Sequence, residues 1–393
     1  VSESLLLSET CKFKLEPSEE QRQILKELFS GYRNMVEECL KKAASLNVTS
    51  RKKLHESIYD ELRERFRDYP SHYIYTAITM ALGIYKSHRR LSRKRKGVKP
   101  PSVEELKAIL LDDTHLFWFS WGSLKIATHR GHLTIPFKLH EHAEKFRDWQ
   151  AKGSRIMLLD GEYYLHVTFR KVVEKRECGG LMGIDVNEKS IDLAIVKPDK
   201  VRFIKIDISE AKYIRDRYFK KRRSIQRKTN GKIKPELLAK YSGRERNRVN
   251  VIIHKASRVI ADIIAEEGVK PVIEELKDIR EKIRYGKRMN RRLHSMPFRK
   301  IHFSITYKSM ERGYKPEYVE AKNTSKMCPI CGELNKPNGQ VFKCKRCGFQ
   351  ADRHLVAAWN IATKLQMCRP LPSAAKAIYE AFKAEVERIV IKC

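Results

Sequence analysis

Two C-x2-C-G knuckles, Cys328-Pro-Ile-Cys331-Gly332 and Cys344-Lys-Arg-Cys347-Gly348, stand twelve residues apart and constrain the chain more than any other stretch. Each knuckle turns the backbone so that both sulfurs face one point, and its glycine supplies the positive φ the turn needs. Four thiolates converging in this way close a tetrahedral shell with no open position, so the spacing predicts a structural zinc rather than a catalytic one. Two disulfides, or four unrelated cysteines, are the alternatives. Four residues separate Cys347 from Asp352, and a short amphipathic helix is predicted over 355–365. A metal staple beside an acid at a helix start predicts that the ribbon holds that acid in place.

At 393 residues the chain can bury a sizeable core and divide into two or three domains. Its formal charge of +34 exceeds what solubility requires and predicts a polyanionic partner. The charge is spread through the chain with aromatics among it, which suits nucleic acid better than a membrane surface. No apolar run approaches membrane-spanning length, and the first residues lack the apolar core of a signal peptide. Nine cysteines, four of them suited to zinc, point to a reducing, cytoplasmic setting near the nucleoid, without secretion. The other five (Cys11, Cys39, Cys178, Cys368, Cys393) read as free thiols.

The chain opens with a predicted strand over 10–15, and Ser18 with Gln21 forms a capping-box signature before a helix reaching residue 44. A second helix is expected over 50–66. A third begins near 71 and runs into the basic block 86–99, whose Arg89, Arg90, Arg93, Lys94, Arg95 and Lys96 are dense enough to contact phosphates. Short strands at 124–127, 133–137, 156–159 and 163–169, with turns at Gly131 and Asp160-Gly161, predict a small barrel or curled sheet. The first strand returns to that sheet, and the helices are inserted between its strands.

At Gly179-Gly180 the composition resets. An apolar strand over 181–187 carries Asp185 at its centre, and strands at 191–196 and 201–206 follow, with a turn at Pro198-Asp199. Three consecutive strands, the first bearing a central acid, begin an RNase H-like sheet. Basic helices follow at 212–228, with Arg222, Arg223 and Arg227, and at 244–267, where His254 on an apolar face reads as structural. The strand at 271–276 carries Glu274. An arginine-rich loop over 279–299, a helix over 298–311 and a strand over 314–321 lead into the ribbon, and the tail, 373–392, reads as an amphipathic helix.

Hydrolysing a phosphodiester requires an activated water and a stabilised leaving oxygen. Two Mg²⁺ ions about 3.5–4 Å apart, held by carboxylates on rigid elements, supply both. Asp185, Glu274 and an acid at the start of a late helix, taken in that order with a zinc ribbon before the third, predict such a catalytic site.

These residues also resemble a known family, the TnpB/OrfB transposon-associated RNA-guided nucleases, which are relatives of type V CRISPR effectors. Phe13-Lys-Leu-Glu-Pro17 with Glu20-Gln21 resembles the family's opening and Gly183-Ile-Asp185 its first RuvC motif. Val272-Ile-Glu274-Glu-Leu276 resembles the second, with Glu274 at the catalytic position. Thr324-Ser-Lys-x-Cys-Pro-x-Cys-Gly and Asp352-Arg-x-x-x-Ala-Ala-x-Asn360-Ile resemble the ribbon and the third motif. The resemblance implies an α+β multidomain chain. Residues 1–16 and 117–176 would form a wedge β-barrel, and 17–116 an inserted helical recognition lobe. Residues 177–322 and 350–372 would be an RNase H-like (RuvC) α/β nuclease, 323–349 its inserted four-cysteine zinc ribbon, and 373–393 a C-terminal helix. It also implies a guide RNA and double-stranded target DNA as partners, with guide-directed DNA cleavage as the activity.

One departure matters. The family's third motif reads Asp-Arg-Asp-x-Asn-Ala-Ala, and here its second aspartate is His354 and its asparagine Val356. Either Asp352 completes the site, His354 ligates metal, or the nuclease is lost. The expectation is a nuclease using Asp352, because histidine is a poor replacement for an anionic oxygen on Mg²⁺. A nuclease-deficient, RNA-guided DNA-binding repressor is the alternative. A cut-and-paste transposase would account for the acids but not for the ribbon.

Overall fold

The computed structural model describes residues 4–198, 200–228, 235–276, 284–365 and 372–393. Asp199 of the expected turn, Cys368 and the first part of the expected 279–299 loop lie outside the described residues. The chain divides into two compact units, Ser8–Lys171 and Val1–Leu7 with Val172–Cys393.

In the first unit, β1 (Ser4–Lys14) leads into α1 (Glu19–Ser45), α2 (Arg51–Arg65) and α3 (His72–Lys94). The capping box forms as read: the Gln21 amide donates to Ser18 Oγ, and the Ser18 amide donates to Gln21 Oε1. Strands β2 (Ala108–Leu111), β3 (Phe117–Ser120), β4 (Ser123–Thr128) and β5 (Gly131–Pro136) precede a 3₁₀ helix at Glu141–Phe146, then β6 (Gln150–Leu159) and β7 (Glu162–Glu174). Two sheets result, in the orders β1-β7-β6-β2 and β3-β4-β5. β3, β4 and β5 form their own antiparallel sheet, with Leu15 just past β1 bridging to Phe137 just past β5. One apolar core, including Phe13, Tyr32, Tyr73 and Phe169, joins both sheets to the helices.

The second unit is built on a six-stranded sheet. It contains β8 (Leu181–Val186), β9 (Ser190–Val196), β10 (Val201–Asp207), α4 (Ser209–Lys228), α5 (Pro235–Glu267), β11 (Lys270–Glu275), α6 (Lys287–His294), α7 (Phe298–Glu311) and β12 (Glu317–Glu320). The ribbon hairpin, β13 (Val341–Lys343) and β14 (Gln350–Asp352), then gives way to α8 (Arg353–Thr363), α9 (Pro372–Lys383) and β15 (Glu387–Val390). The strand order is β12-β11-β8-β9-β10-β15. β8, β9 and β10 form an antiparallel meander, and β11 crosses over to pair parallel with β8 on its other side. This is a mixed sheet consistent with a RuvC-like arrangement.

Strand periodicity sorts the two faces. Ile184, Ile191, Leu193, Ile204, Ile206 and Ile273 point to one face and pack with α5 and α7 through Ile253, Ile260, Ile264, Ile301 and Ile305. Ala194 and Phe203 point to the other and pack with Leu355, Ala358 and Trp359 of α8.

Two expectations change here. The tail is not one helix: α9 ends at Lys383, and β15 joins the sheet parallel to β10, with Ile206 opposite Ile389. Glu387–Val390 lies beside the open edge of β10 and takes up its ladder hydrogen bonds. The arginine-rich loop contains a helix, α6. Cys11, Cys39, Cys178 and Cys393 are free thiols, as expected. Among the described residues, no helix is long and apolar enough to cross a membrane.

Candidate active site and zinc ribbon

The sheet register lines up charge. Ile273 of β11 stands opposite Ile184 of β8, so Glu274 and Asp185 are the next residues along two neighbouring strands. Asp185 stands opposite Asp192 of β9, and Asp192 opposite Lys205 of β10. Cross-strand neighbours share a face, so Glu274, Asp185, Asp192 and Lys205 form one row on the α8 side.

Helix α8 is brought onto that face by Gly183. A Cβ at this position would lie 1.9 Å from the Ala358 carbonyl oxygen and 2.6 Å from the Ala362 nitrogen. The helix therefore rests on bare backbone, with its N-terminus at the polar row. There Asp352 is the N-cap, its Oδ1 accepting the His354 amide at 2.8 Å, while its Oδ2 accepts from Lys205 Nζ at 2.9 Å. The same first turn puts His354 Nδ1 3.2 Å from Asp185 Oδ2.

The ligand atoms of Asp185, Asp192 and His354 all lie within 4.8 Å of one another. Asp352 is not in that trio. Asn187 Nδ2 donates to Asp185 Oδ2 at 2.6 Å and to Asp192 Oδ2 at 3.1 Å, and Ser190 Oγ donates to Asp192 Oδ2 at 2.6 Å. Asp192 is fully buried, yet its Oδ1 receives no hydrogen bond. The Lys205 ammonium is 3.3 Å from it, close enough for an ion pair but not aligned as a hydrogen bond. Glu274 accepts from Thr324 Oγ1, whereas Glu275 is exposed.

The electrostatics follow from burial. Burial, with the Asp185 charge added, pushes the Glu274 carboxyl up to about 7 despite the Thr324 hydrogen bond. Asp192 is also raised by burial, against the pull of Ser190 and Lys205. Burial works against the charged forms of Asp352 and Lys205 as well. Their mutual contact, with the His354 amide on Asp352 and Asp192 beside Lys205, outweighs it, so Asp352 sits below and Lys205 above its ordinary value.

The donor set fits a divalent cation, since two carboxylates and a ring nitrogen converge and one buried oxygen lacks a hydrogen bond. It fits Mg²⁺ less well, because Mg²⁺ is held by oxygen ligands in a near-ideal octahedron.

The four cysteines of the ribbon converge as read. Their sulfurs lie within 4.8 Å of one another, with Cys328–Cys347 at 3.6 Å and Cys331–Cys344 at 3.5 Å. A tetrahedron with Zn–S bonds of about 2.3 Å has edges of about 3.8 Å, so the set fits zinc and is too open for disulfides. Gly332 and Gly348 take φ of 74° and 73° at the knuckle turns.

The hairpin carrying the second knuckle ends on Asp352. Val356 is buried against Phe342, Phe349 and the cysteines, so the residue where the family motif has asparagine serves the ribbon's core. Asn360 Nδ2 donates to the carbonyls of Thr324 and Met327, both at 2.7 Å. The start of the ribbon is thus tied to α8 by Asn360 and to Glu274 by Thr324.

Arg90, Arg93, Lys94, Arg95 and Lys96 lie at and beyond the end of α3, mostly exposed, and Arg89 lies over Tyr85. Arg223 and Arg227 are exposed on α4, but Arg222 is half-buried and pairs with Glu245 of α5. A cleft of about 1020 Å³ runs beside α4, lined by Lys189, Lys212, Arg217, Lys220 and the exposed Tyr213. His254 contacts Tyr307, and burial lowers it to about 4, in keeping with a structural role.

Asp192 and Lys205 were missed in the motif reading. The signal available was a charge inside an apolar strand, the same one that marks Asp185. Their convergence depends on register.

Residues 298–361 match the family described as Cas12f1-like, TNB domain, and residues 28–127 match the Uncharacterized protein MJ0013 family. The chain is 35% identical over 264 residues to TnpB-like protein MJ0751 of Methanocaldococcus jannaschii, covering 64% of this chain and 94% of that protein. It is 33% identical over 134 residues to the CRISPR-associated endodeoxyribonuclease Cas12f1 of Sulfoacidibacillus thermotolerans, covering 33% of this chain and 28% of that one. In fold it is similar to a protein chain from the cryo-EM structure of a Cas12f1-sgRNA-target DNA complex, with a TM-score of 0.55 and 16% identity over 91% of this chain and 99% of that one.

Proposed function

This chain belongs to the TnpB family, relatives of the type V CRISPR effectors such as Cas12f, and from that membership we propose that it is an RNA-guided DNA endonuclease. The observation that carries the reading is the row of Glu274, Asp185 and Asp192 on adjacent strands, with α8 delivering His354 to its edge. In this reading residues 177–322 and 350–372 form the RuvC-like nuclease and 323–349 its zinc ribbon. Residues 1–16 with 117–176 are the wedge barrel, 17–116 the recognition lobe, and 373–393 a C-terminal extension. The partners are a guide RNA and double-stranded target DNA. The arginines of α3 and α4 and the basic cleft beside Tyr213 hold phosphates and stack bases.

A divalent cation bound at the site would stabilise charge developing on the cleaved phosphate. Asp185, Asp192 and His354 would hold that cation, and Asn187 and Ser190 fix the orientation of the two carboxylates. Glu274 holds or releases a proton near neutral pH, and Lys205 opposes the phosphate's negative charge. Asp352 caps α8 and anchors Lys205, and the site's third donor is His354.

The test is to sequence RNA that copurifies with the protein and then to assay cutting of a matched plasmid with Mg²⁺ and with Mn²⁺. Enriched non-coding RNA and guided cutting are expected, and the absence of any enriched RNA would overturn the reading. His354 at the family's aspartate position favours a second reading, a guided binder that represses without cutting. Retained target binding with no cutting in either metal selects it.

A further inference from the structure

We propose that Asp185, Asp192 and His354 hold a single divalent cation of the first-row transition type, such as Mn²⁺, in preference to Mg²⁺, and that the Lys205 ammonium takes the place of a second cation. The inference rests on reading this site as the nuclease centre and goes further by naming its metal class and its number of ions.

The donor geometry comes first. Ligands around one small dication at bonds of about 2.1 Å lie roughly 3–4.3 Å apart, and the trio's ligand atoms are all within 4.8 Å. The His354 Nδ1 to Asp185 Oδ2 contact of 3.2 Å is the edge of such a polyhedron already formed. Asp192 supplies a second, independent sign. Its side chain is fully buried, its Oδ2 is held by Ser190 and Asn187, and its Oδ1 has no hydrogen bond, only the Lys205 ammonium 3.3 Å away. A carboxylate oxygen carries two lone pairs, so one ammonium leaves room for a further partner.

The choice of metal follows from the third donor. Mg²⁺ gains little from an imidazole nitrogen, whereas affinity for a mixed nitrogen and oxygen site rises along the first row from Mn²⁺, the weakest of that series, toward its heavier neighbours. The backbone of α8 selects that donor. With Asp352 spent on the cap and on Lys205, the residue two positions on is the one that faces Asp185, and here it is histidine.

The number of ions follows from Lys205. Two catalytic cations sit about 3.5–4 Å apart and share carboxylates. A second cation bridging Asp192 and Asp352 would need the space between those two carboxylates. That position holds Lys205 Nζ, 3.3 Å from Asp192 Oδ1 and 2.9 Å from Asp352 Oδ2. A tethered positive charge there repels a further dication.

The experiment is Mn²⁺ binding to the full chain, followed by electron paramagnetic resonance and calorimetry, with Mg²⁺ as competitor and ribbon zinc quantified separately. One Mn²⁺ at this site is expected, counted as the equivalent lost in Asp185→Asn, and bound more tightly than Mg²⁺. His354→Ala should remove that preference, and His354→Asp should turn it toward Mg²⁺. Lys205→Ser should raise the stoichiometry to two, while Lys205→Arg keeps it at one. Should Lys205→Ser fail to fold, the arginine variant and the His354 pair still decide. Two Mn²⁺ ions at this site in the unmodified chain, equal binding of the two metals, or a preference untouched by His354→Ala would each overturn the inference. Tight single-site Mn²⁺ binding without guided cutting would leave it standing and remove the nuclease reading. Guided cutting with two Mg²⁺ ions bound would do the reverse.

Discussion

Replacing Gly183 with alanine should loosen the second unit and misplace its candidate site. The added methyl carbon would meet the Ala358 carbonyl oxygen at 1.9 Å and the Ala362 nitrogen at 2.6 Å. Ordinary contact begins near 3.4 Å, so α8 must retreat by about 1.5 Å or β8 must buckle. Both obstacles are backbone, and no side-chain rotamer can relieve them. The cost therefore falls at the upper end for overpacking, about 3 kcal/mol. For a unit of this size that lowers the melting temperature by about 6–12 °C. The displacement is carried to the start of α8, where His354 lies 3.2 Å from Asp185, so metal affinity should fall as well. Scanning calorimetry of the full chain reads the first effect and Mn²⁺ titration the second. A melting shift under about 2 °C would refute the close-packing account.

Glu274 should give the metal-free protein a pH-dependent stability. Its folded-state value of about 7 exceeds the unfolded one, so the folded chain holds the proton more tightly. Stability should then fall as pH rises from the ordinary carboxylate range to about 7, by about 3 kcal/mol at most, and level off above. Urea titrations across about pH 4–8 should show this slope, and Glu274→Gln should remove its contribution. Cys344→Ser should release zinc, measured by elemental analysis, and reduce guided cutting, because Asn360 and Thr324 couple the ribbon to the site. Asp352→Asn keeps the helix cap and loses only the charge facing Lys205, so cutting should fall a few-fold, while His354→Ala should cost far more. The reverse order would make Asp352 the ligand. Neutralising Arg223 and Arg227 should flatten the salt dependence of nucleic-acid binding by about two counterions, and adding Arg222 should change little more, because Glu245 already neutralises it.

Features that depend on short-range spacing could be read from the residues alone. The ribbon was legible because two knuckles with their glycines specify a metal shell locally, and the sulfurs converge accordingly. The capping box of α1 and the apolar strands carrying Asp185 and Glu274 were legible for the same reason. Register is not a local property, and it decided the rest. Asp192 and Lys205 became neighbours of Asp185 only when β8, β9 and β10 paired in one alignment. Whether Asp352 or His354 faced the acids turned on the docking of α8 over Gly183, a contact between residues about 175 apart. The last part of the tail, 387–390, became a strand because β10 had an open edge to offer, which no pattern within 373–392 records. Burial, likewise a product of packing, set the protonation of Glu274, since a carboxyl changes its affinity for a proton only when the folded chain takes its water away.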